Sequence, residues 1–304
     1  MHEIIEKIQE LKKQKNAVIL AHCYQNIEID EVADFVGDSL YLSKKAASTD
    51  ADIIVFAGVY FMAQTAKLLS ANKKVLLPRL ESGCQMADMI DYEQIKTFKS
   101  AHPNLPAVCY VNSTAEVKSE CDICCTSSNA VEIVKGMGVK ELLFLPDTYL
   151  GKWVESQLDG IKIHTYPGFC PTHLKILPAD IVNARKKYPN AKVLAHPECH
   201  QEVTKLADYV GSTAGIMKYA AESNDKTFII ATEKGVIERL QRDYSEKEFI
   251  LIKNTIVCPN MKWHTLADIY GALKNEQHEI TVDEKIAKKA VNCINKMLYS
   301  TVKP

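Results

Sequence analysis

The chain has 304 residues, 47% of them apolar, which is enough to bury a large core and to form two or three domains. Lys and Arg number 37 against 38 Asp and Glu, and the net charge of −1 excludes a long-range attraction to nucleic acid or to an anionic membrane. The amphipathic N-terminal segment is unlike a signal peptide, and no apolar run approaches the length of a membrane span, so we expect a cytoplasmic globular protein.

Three similar units follow one another along the chain. The first predicted unit contains the apolar runs AVILAH, IIVFAG and KVLLP, the second AVCYVN, LLFLPD and KIHTY, and the third KVLAHP, FIIATE and EFILI. In each unit a further short run begins at Asp and leads through a Ser into a helical stretch. Short apolar runs that alternate with helical patterns are typical of βαβ units whose parallel strands are buried on both faces.

The sequence therefore predicts an α/β fold made of three repeats around a pseudo-threefold axis. Each repeat is expected to be a small parallel β-sheet flanked by helices, in three αβα layers, and a central cavity is expected on the axis. We assign residues 1–86 to the first repeat, together with 259–304, whose helices have no fourth set of strands to follow and are expected to close the structure. Residues 87–172 form the second repeat and 173–258 the third.

Polar residues recur at matching positions of the three repeats. His22, Tyr110 and His196 follow the first strands at separations of 88 and 86 residues. The next position but one holds Tyr24, Asn112 and Glu198, and a third set of matching positions holds Ser39, Ser127 and Ser212. Because α/β folds bind ligands beyond the carboxyl ends of their parallel strands, we expect these side chains to face one cavity.

Three cysteines also occupy one repeated position. Cys84, Cys170 and Cys258 are 86 and 88 residues apart. Three thiolates around one point suit zinc or an iron–sulfur cluster, and a 4Fe-4S cluster with three cysteine ligands leaves one iron free to bind substrate. Burial of three cysteines kept in place by duplication alone is the alternative, which their repeated position disfavours.

The remaining cysteines are predicted to be packing residues. CDICC contains a C-x-x-C pair, Cys121 and Cys124, followed by Cys125, a pattern that by itself suggests zinc or redox chemistry. The repeat alignment instead places this segment over ADFVG and ADYVG, the end of a helix that leads into a short strand. The other four cysteines have no counterparts in the repeats; they are Cys23, Cys109, Cys199 and Cys293.

The three serines precede predicted helices. A Ser at such a position commonly caps one helix, but three helix N-termini that converge on one cavity favour a substrate with several anionic groups, such as a phosphate ester or a dicarboxylate. Walker and Rossmann glycine motifs are absent from the sequence, so nucleotide binding is unsupported. Glu198, beside two histidines and a metal, would suit a general acid or base.

Eight stretches, with the three separated cysteines, resemble the quinolinate synthase A family of de novo NAD biosynthesis. They are LAHCYQ, ADFVGDS, AGVYFMAQTAK, YVNSTAE, TSSNAVEIV, HPEC, GSTAGI and CPNMK. The resemblance implies a triplicated α/β fold and one 4Fe-4S cluster per chain, held by Cys84, Cys170 and Cys258 and open at one iron. It also implies a transferase that condenses iminoaspartate with dihydroxyacetone phosphate to form quinolinate, with release of phosphate and water.

The resemblance also implies roles for the polar residues. Carboxylates and phosphate would be held by His22, Ser39, Ser127, His196, Ser212 and Thr213. Acid/base and orienting groups would be Tyr24, Tyr110, Asn112 and Glu198, with His22 and His196 among the catalytic residues. Glu198 would be the proton shuttle and Tyr24 its partner. A transient contact with the enzyme that produces iminoaspartate is the one protein partner implied.

Two other functions fit the same cysteines. A hydro-lyase of the aconitase kind would use an open iron on a hydroxy-acid, although the motifs above argue against it. An iron–sulfur sensor would use the cluster without catalysis. The polar side chains expected around the cavity disfavour a sensor, since a sensor has no use for three anion-binding helix termini.

Overall fold

The computed structural model describes residues 1–299 and contains three parallel sheets of four strands each. The first sheet has the order β2-β1-β3-β4, with β1 (Ala17–His22), β2 (Phe35–Gly37), β3 (Ile53–Ala57) and β4 (Lys74–Leu76). The second has the order β6-β5-β7-β8, with β5 (Ala107–Tyr110), β6 (Ile123–Cys125), β7 (Glu141–Leu145) and β8 (Lys162–Thr165). The third has the order β10-β9-β11-β12, with β9 (Lys192–Ala195), β10 (Tyr209–Val210), β11 (Thr227–Ala231) and β12 (Glu248–Leu251).

Helices connect the strands and flank the sheets. In the first repeat they are α1 (His2–Gln14), α2 (Ser39–Ser48) and α3 (Tyr60–Leu69); in the second, α4 (Tyr92–Ser100), α5 (Ala115–Ser119), α6 (Ala130–Gly136) and α7 (Thr148–Ser156). The third repeat contains α8 (Pro178–Lys187), α9 (Gln201–Lys205), α10 (Thr213–Glu222) and α11 (Lys234–Asp243), and α12 (Leu266–Asn275) and α13 (Glu284–Tyr299) complete the chain. Among residues 1–299, no helix combines the length and the apolar composition needed to cross a membrane.

The two central strands of each sheet are buried on both faces. Every residue of β3 is buried, as are all residues of β1 after the first. Strands of this kind read as continuous apolar runs rather than alternating ones, which is why AVILAH and IIVFA could be recognised in the sequence. The predicted α/β fold of three repeats, each a small parallel sheet between helices, is confirmed.

An aspartate fixes the register of the first two strands in each repeat. Asp34, Asp122 and Asp208 each precede a short second strand, and one carboxylate oxygen of each accepts a 2.8 Å hydrogen bond from a first-strand N–H, that of Ile19, Ala107 and Val193 respectively. In return, the backbone N–H of each aspartate donates a hydrogen bond to the carbonyl oxygen of its first-strand partner, at 2.8 to 3.0 Å. These are the aspartates that open the short runs of the sequence repeat, so the repeated residue performs the same structural task three times.

The last two helices pack on different repeats. We expected both to lie on the first repeat; α12 does pack against α1 and β3, whereas α13 packs mainly against α5 and β6 of the second repeat, with a smaller contact to α3. The apolar face of α13 joins the second repeat's core through Ala290, Ile294 and Met297. The boundaries of the three repeats stay a prediction, and residues 300–304 of the segment assigned to the first repeat lie outside the described residues.

We predict that Asp122→Ala lowers the free energy of unfolding by about 1–3 kcal/mol, because it leaves the buried N–H of Ala107 without its acceptor. Asp122→Asn keeps an oxygen acceptor and should lose less. The measurement is urea unfolding followed by circular dichroism, with Asp159→Ala, at an exposed turn position, as the matched control. An Asp122→Ala protein as stable as the parent would show that this hydrogen bond does not fix the register.

Candidate active site

A cavity of about 840 Å³, counted with its opening to solvent, lies where the carboxyl ends of the strands of all three repeats meet. Eleven residues from the repeated positions line it, and so does Thr213, which only the family resemblance implied. The eleven are His22, Tyr24, Ser39, Cys84, Tyr110, Asn112, Ser127, Cys170, His196, Glu198 and Cys258. Ser212 is the predicted residue that does not line the cavity. The structure therefore brings together residues that are separated by up to 236 positions in the chain.

The three cysteines of the cavity are free thiols at equivalent places. Each follows the last strand of its sheet and stands just before a short 3-10 turn; the turns span Ala87–Met89, His173–Lys175 and Asn260–Lys262. Burial raises the pKa of Cys84 to about 12, and it raises the pKa values of Cys170 and Cys258 as well. A metal would have to displace these protons, as metal–thiolate sites generally do.

His22 and His196 are held by the same local motif. The ring Nδ1 of His22 accepts the backbone N–H of Tyr24 at 3.1 Å, and that of His196 accepts the N–H of Glu198 at 3.3 Å. Burial lowers the pKa of each histidine to about 3, so both rings are neutral near pH 7. Since Nδ1 is the acceptor in both rings, the proton sits on Nε2, and each ring can donate that N–H to a ligand.

Glu198 is buried, and both of its carboxylate oxygens have partners. Oε1 accepts a 2.6 Å hydrogen bond from the Tyr110 hydroxyl, and Oε2 lies 2.7 Å from His173 Nδ1. Burial opposes ionisation, but the imidazoles of His196 and His173 and the Tyr110 hydroxyl outweigh it and hold the pKa of Glu198 well below its usual range. Burial and the nearby Glu198 charge raise the pKa of Tyr110 well above normal, so this pair consists of a carboxylate and a protonated phenol.

Tyr24 is not in direct contact with Glu198. Its hydroxyl lies 2.9 Å from Thr213 Oγ1 and 3.1 Å from Thr232 Oγ1. Thr232 Oγ1 in turn lies 2.9 Å from Nε2 of His173, whose other nitrogen contacts Glu198. Tyr110, rather than the expected Tyr24, is thus the direct tyrosine partner of Glu198, and Tyr24 reaches it through a threonine and a histidine.

His173 and Thr232 are site residues that the sequence interpretation missed. His173 is buried between Cys170, whose Sγ lies 3.2 Å from Nδ1, and Glu198. In the repeat alignment the matching positions hold Ala87 and Met261, so no repeated position marked this histidine. Its place three residues after Cys170 in GFCPTHL was the one available signal.

The repeated serines occupy three different places at their helices. Asp38, not Ser39, caps α2, since its carboxylate accepts the N–H of Tyr41 at 2.9 Å. Ser127 lies in the turn before α6, whose N-cap residue is Asn129. Ser212 alone is an N-cap, and its hydroxyl accepts the N–H of Gly215 at 3.1 Å. Ser39 and Ser127 therefore line the cavity without capping these helices, whereas Ser212 uses its hydroxyl for the helix.

Two sets of residues are compatible with a metal cofactor. One is the set of three cysteines, whose thiols are close enough for a charge on Cys84 or Cys258 to affect the pKa of Cys170. The other consists of Cys170, His173 and Glu198, whose ligand atoms all lie within 4.8 Å of one another. The second set is already joined by hydrogen bonds, which explains its close spacing without an ion.

The fold and the site define a triplicated α/β protein whose three repeats share one thiol-lined cavity suited to a metal cofactor. The description "Quinolinate synthetase A protein" belongs to the family model that matches residues 6–299. The chain belongs to this family of enzymes in NAD synthesis.

Curated relatives cover nearly the whole chain. A quinolinate synthase of Alkaliphilus metalliredigens is 51% identical over 295 residues, which are 97% of each chain. One of Dehalococcoides mccartyi is 52% identical over 295 residues, again 97% of each. A quinolinate synthase of Clostridioides difficile is 45% identical over 295 residues, with the same coverage.

We predict that the two neutral histidines make the protein sensitive to mild acid. Their pKa falls from 6.5 to about 3 on folding, so the unfolded chain takes up protons first, and stability is lost as the pH falls from about 6.5 towards 3. His196→Gln removes one of these groups and should lose about 2 kcal/mol less than the parent between pH 7 and pH 5.

The measurement is the free energy of unfolding in urea at both pH values, made on identical preparations. His2→Gln, which alters a side chain that is 91% exposed, is the control and should match the parent. If the His196→Gln protein loses as much stability as the parent over this range, the ring is not buried in its neutral form.

Proposed function

We propose that the chain is a quinolinate synthase that condenses iminoaspartate with dihydroxyacetone phosphate, with release of phosphate and water. The observation that carries the proposal is the convergence of one thiol from each repeat with a buried carboxylate in a single cavity. Membership in the family and the names of its relatives support the reaction. A hydro-lyase would use the same thiols, but the relatives give it no support.

The three cavity cysteines fit the iron–sulfur cluster that the proposal requires. Cys84, Cys170 and Cys258 would hold a 4Fe-4S cluster, since all three are free, face one cavity and offer soft sulfur ligands. A cluster held by three cysteines would supply a Lewis-acidic iron to the substrate side of the cavity.

Glu198 is suited to accept and return a proton. It is ionised in the resting site and so has a free lone pair for a proton, and the Tyr110 phenol, which stays protonated, donates the hydrogen bond that holds the carboxylate in place. The 2.6 Å bond between these two side chains places donor and acceptor in contact. Tyr24 of the first repeat is also protonated, because burial raises its pKa well above normal. Its hydroxyl can orient a substrate oxygen.

Neutral donors and an unpaired acceptor suit the proposed substrates. His22 and His196 offer Nε2–H groups, and Ser39 and Ser127 offer hydroxyls, to carboxylates and a phosphate. The Oδ1 atom of Asn112 is buried in the cavity wall without a hydrogen-bond partner among the described residues, so it can accept an N–H or O–H from a ligand. Donors fixed in this way hold the reacting groups in place before the reaction begins.

The decisive experiment measures quinolinate from dihydroxyacetone phosphate and iminoaspartate generated in place, with anaerobically purified protein whose iron and sulfide have been determined. Quinolinate should form with the parent. Cys170→Ser should abolish both the cluster and the product, whereas Cys199→Ser, at a buried cysteine that does not line the cavity, should keep both. Absence of quinolinate from parent protein with an intact cluster would contradict the proposal.

We predict that Glu198→Gln lowers turnover by about 10²–10⁴-fold, because the amide cannot accept the proton. Iron and sulfide content should match the parent, which separates loss of the base from loss of the cluster. Glu202→Gln, at an exposed glutamate on the following helix, is the matched control and should keep full activity. Full turnover by the Glu198→Gln protein would refute the role of this carboxylate.

A further inference from the structure

A second group of thiols lies outside the cavity, between the second repeat and the last helix. It contains Cys109 of β5, Cys121 just after α5, Cys124 of β6 and Cys293 of α13. All four are free cysteines. The sulfur atoms of Cys124 and Cys293 lie 3.3 Å apart, although the two residues are 169 positions apart in the chain. The sequence interpretation treated all four as packing residues, and packing alone does not require two sulfurs in contact.

The four thiols form a continuous series of contacts. Cys109 and Cys124 are paired residues of the adjacent strands β5 and β6, Cys121 packs against the same apolar cluster, and Cys124 contacts Cys293. Three of them are fully buried, whereas Cys121 is partly exposed. The series therefore runs from the protein surface to the buried Cys124–Cys293 pair.

Cys109 lies beside a buried cation, the ammonium group of Lys118. Burial opposes its ionisation, but the hydrogen bonds with Cys121 and Cys124 and the nearby Lys118 ammonium outweigh burial and hold its pKa well below normal. Lys118 is itself fully buried and is anchored to the carbonyl of Val111 at 2.8 Å. A series of neighbouring thiols is the arrangement that intramolecular thiol–disulfide exchange requires.

Cys125 provides an internal comparison. It is the neighbour of Cys124 in β6, but alternate residues of a strand point to opposite faces of the sheet. Cys125 accordingly packs in the large core at the other face, with Ile133 and Phe144, while Cys124 packs with Cys109 and Cys293. The contact between Cys124 and Cys293 is thus specific to one face of the strand.

We propose that Cys124 and Cys293 are a redox-active dithiol that is oxidised to a disulfide by a small-molecule disulfide such as oxidised glutathione. The oxidant first forms a mixed disulfide with the partly exposed Cys121 and releases one equivalent of its thiol. Cys109 then attacks the Cys121 sulfur and releases the second equivalent. Cys124 attacks Cys109 and frees Cys121, and Cys293 finally attacks Cys124 and frees Cys109. The protein gains one S–S bond and loses two hydrogens and two electrons, and the oxidant is reduced to two equivalents of its thiol.

The bond would tie α13 to the sheet of the second repeat. β5 and β6, which lie under this helix, end at Tyr110 and just before Ser127 of the cavity. A crosslink between residues so far apart restricts the unfolded chain, so the oxidised protein should resist unfolding better than the reduced protein. The inference does not depend on the proposed reaction, because its readout is the state of two thiols.

The test uses anaerobically purified, full-length protein equilibrated with mixtures of reduced and oxidised glutathione, then denatured and alkylated. Trypsin places Cys293 in AVNCINK and Cys121, Cys124 and Cys125 together in SECDICCTSSNAVEIVK. We expect these two peptides to be joined in oxidising mixtures, with a mass two hydrogens below their sum, and to separate on reduction. Two fewer thiols per chain should be alkylated.

Variants assign the bond within the second peptide. Cys124→Ser should abolish the joined peptides, Cys125→Ser should leave them unchanged, and Cys121→Ser should slow their formation. The proposal is overturned if Cys124 and Cys293 stay alkylatable in every mixture, or if the joined peptides persist in the Cys124→Ser protein. It is also overturned if the purified protein contains one zinc ion per chain that Cys124→Ser removes, since the thiols would then be metal ligands.

Discussion

The register of the first two strands in each repeat is the constraint on which the site depends. A reciprocal pair of hydrogen bonds joins Asp34 to Ile19, and the same pair occurs in the other two repeats. A slip of one residue would turn every side chain of a strand to the opposite face. His22, Tyr110 and His196 stand at the ends of these strands or directly after them, so three distant aspartates determine which side chains reach the cavity.

The cavity combines groups whose charge states are set by burial and by their hydrogen-bond partners. The neutral rings of His22 and His196, protonated tyrosines and protonated thiols lie around the ionised Glu198. A buried carboxylate is expensive unless it is fully hydrogen-bonded, and here both oxygens have partners. In the proposed reaction, anionic ligands would be bound by neutral donors, and the ionised Glu198 would stand where a proton is moved.

Much of the fold and part of the site could be predicted because duplication is recorded in the sequence. The repeated positions led to the three sheets and to eleven residues that line the cavity. His173 and Thr232 have no counterparts in the other repeats, and pairing of Glu198 with Tyr110 depends on side chains that meet across two repeats. The amphipathic pattern of α13 predicted an apolar face but not the neighbour that covers it, and so the contact between Cys124 and Cys293 could not be seen either.

Divergence at one repeated position has a consequence for the orientation of any ligand. Three identical repeats would bind an asymmetric ligand in three equivalent orientations, and at most one of these could place its reacting groups correctly. Tyr24, Asn112 and Glu198 occupy corresponding places but differ as a phenol, an amide and a carboxylate. Because these three side chains differ, the three orientations related by the pseudo-threefold axis are no longer equivalent. An asymmetric ligand therefore contacts a different side chain in each orientation, and one orientation is favoured.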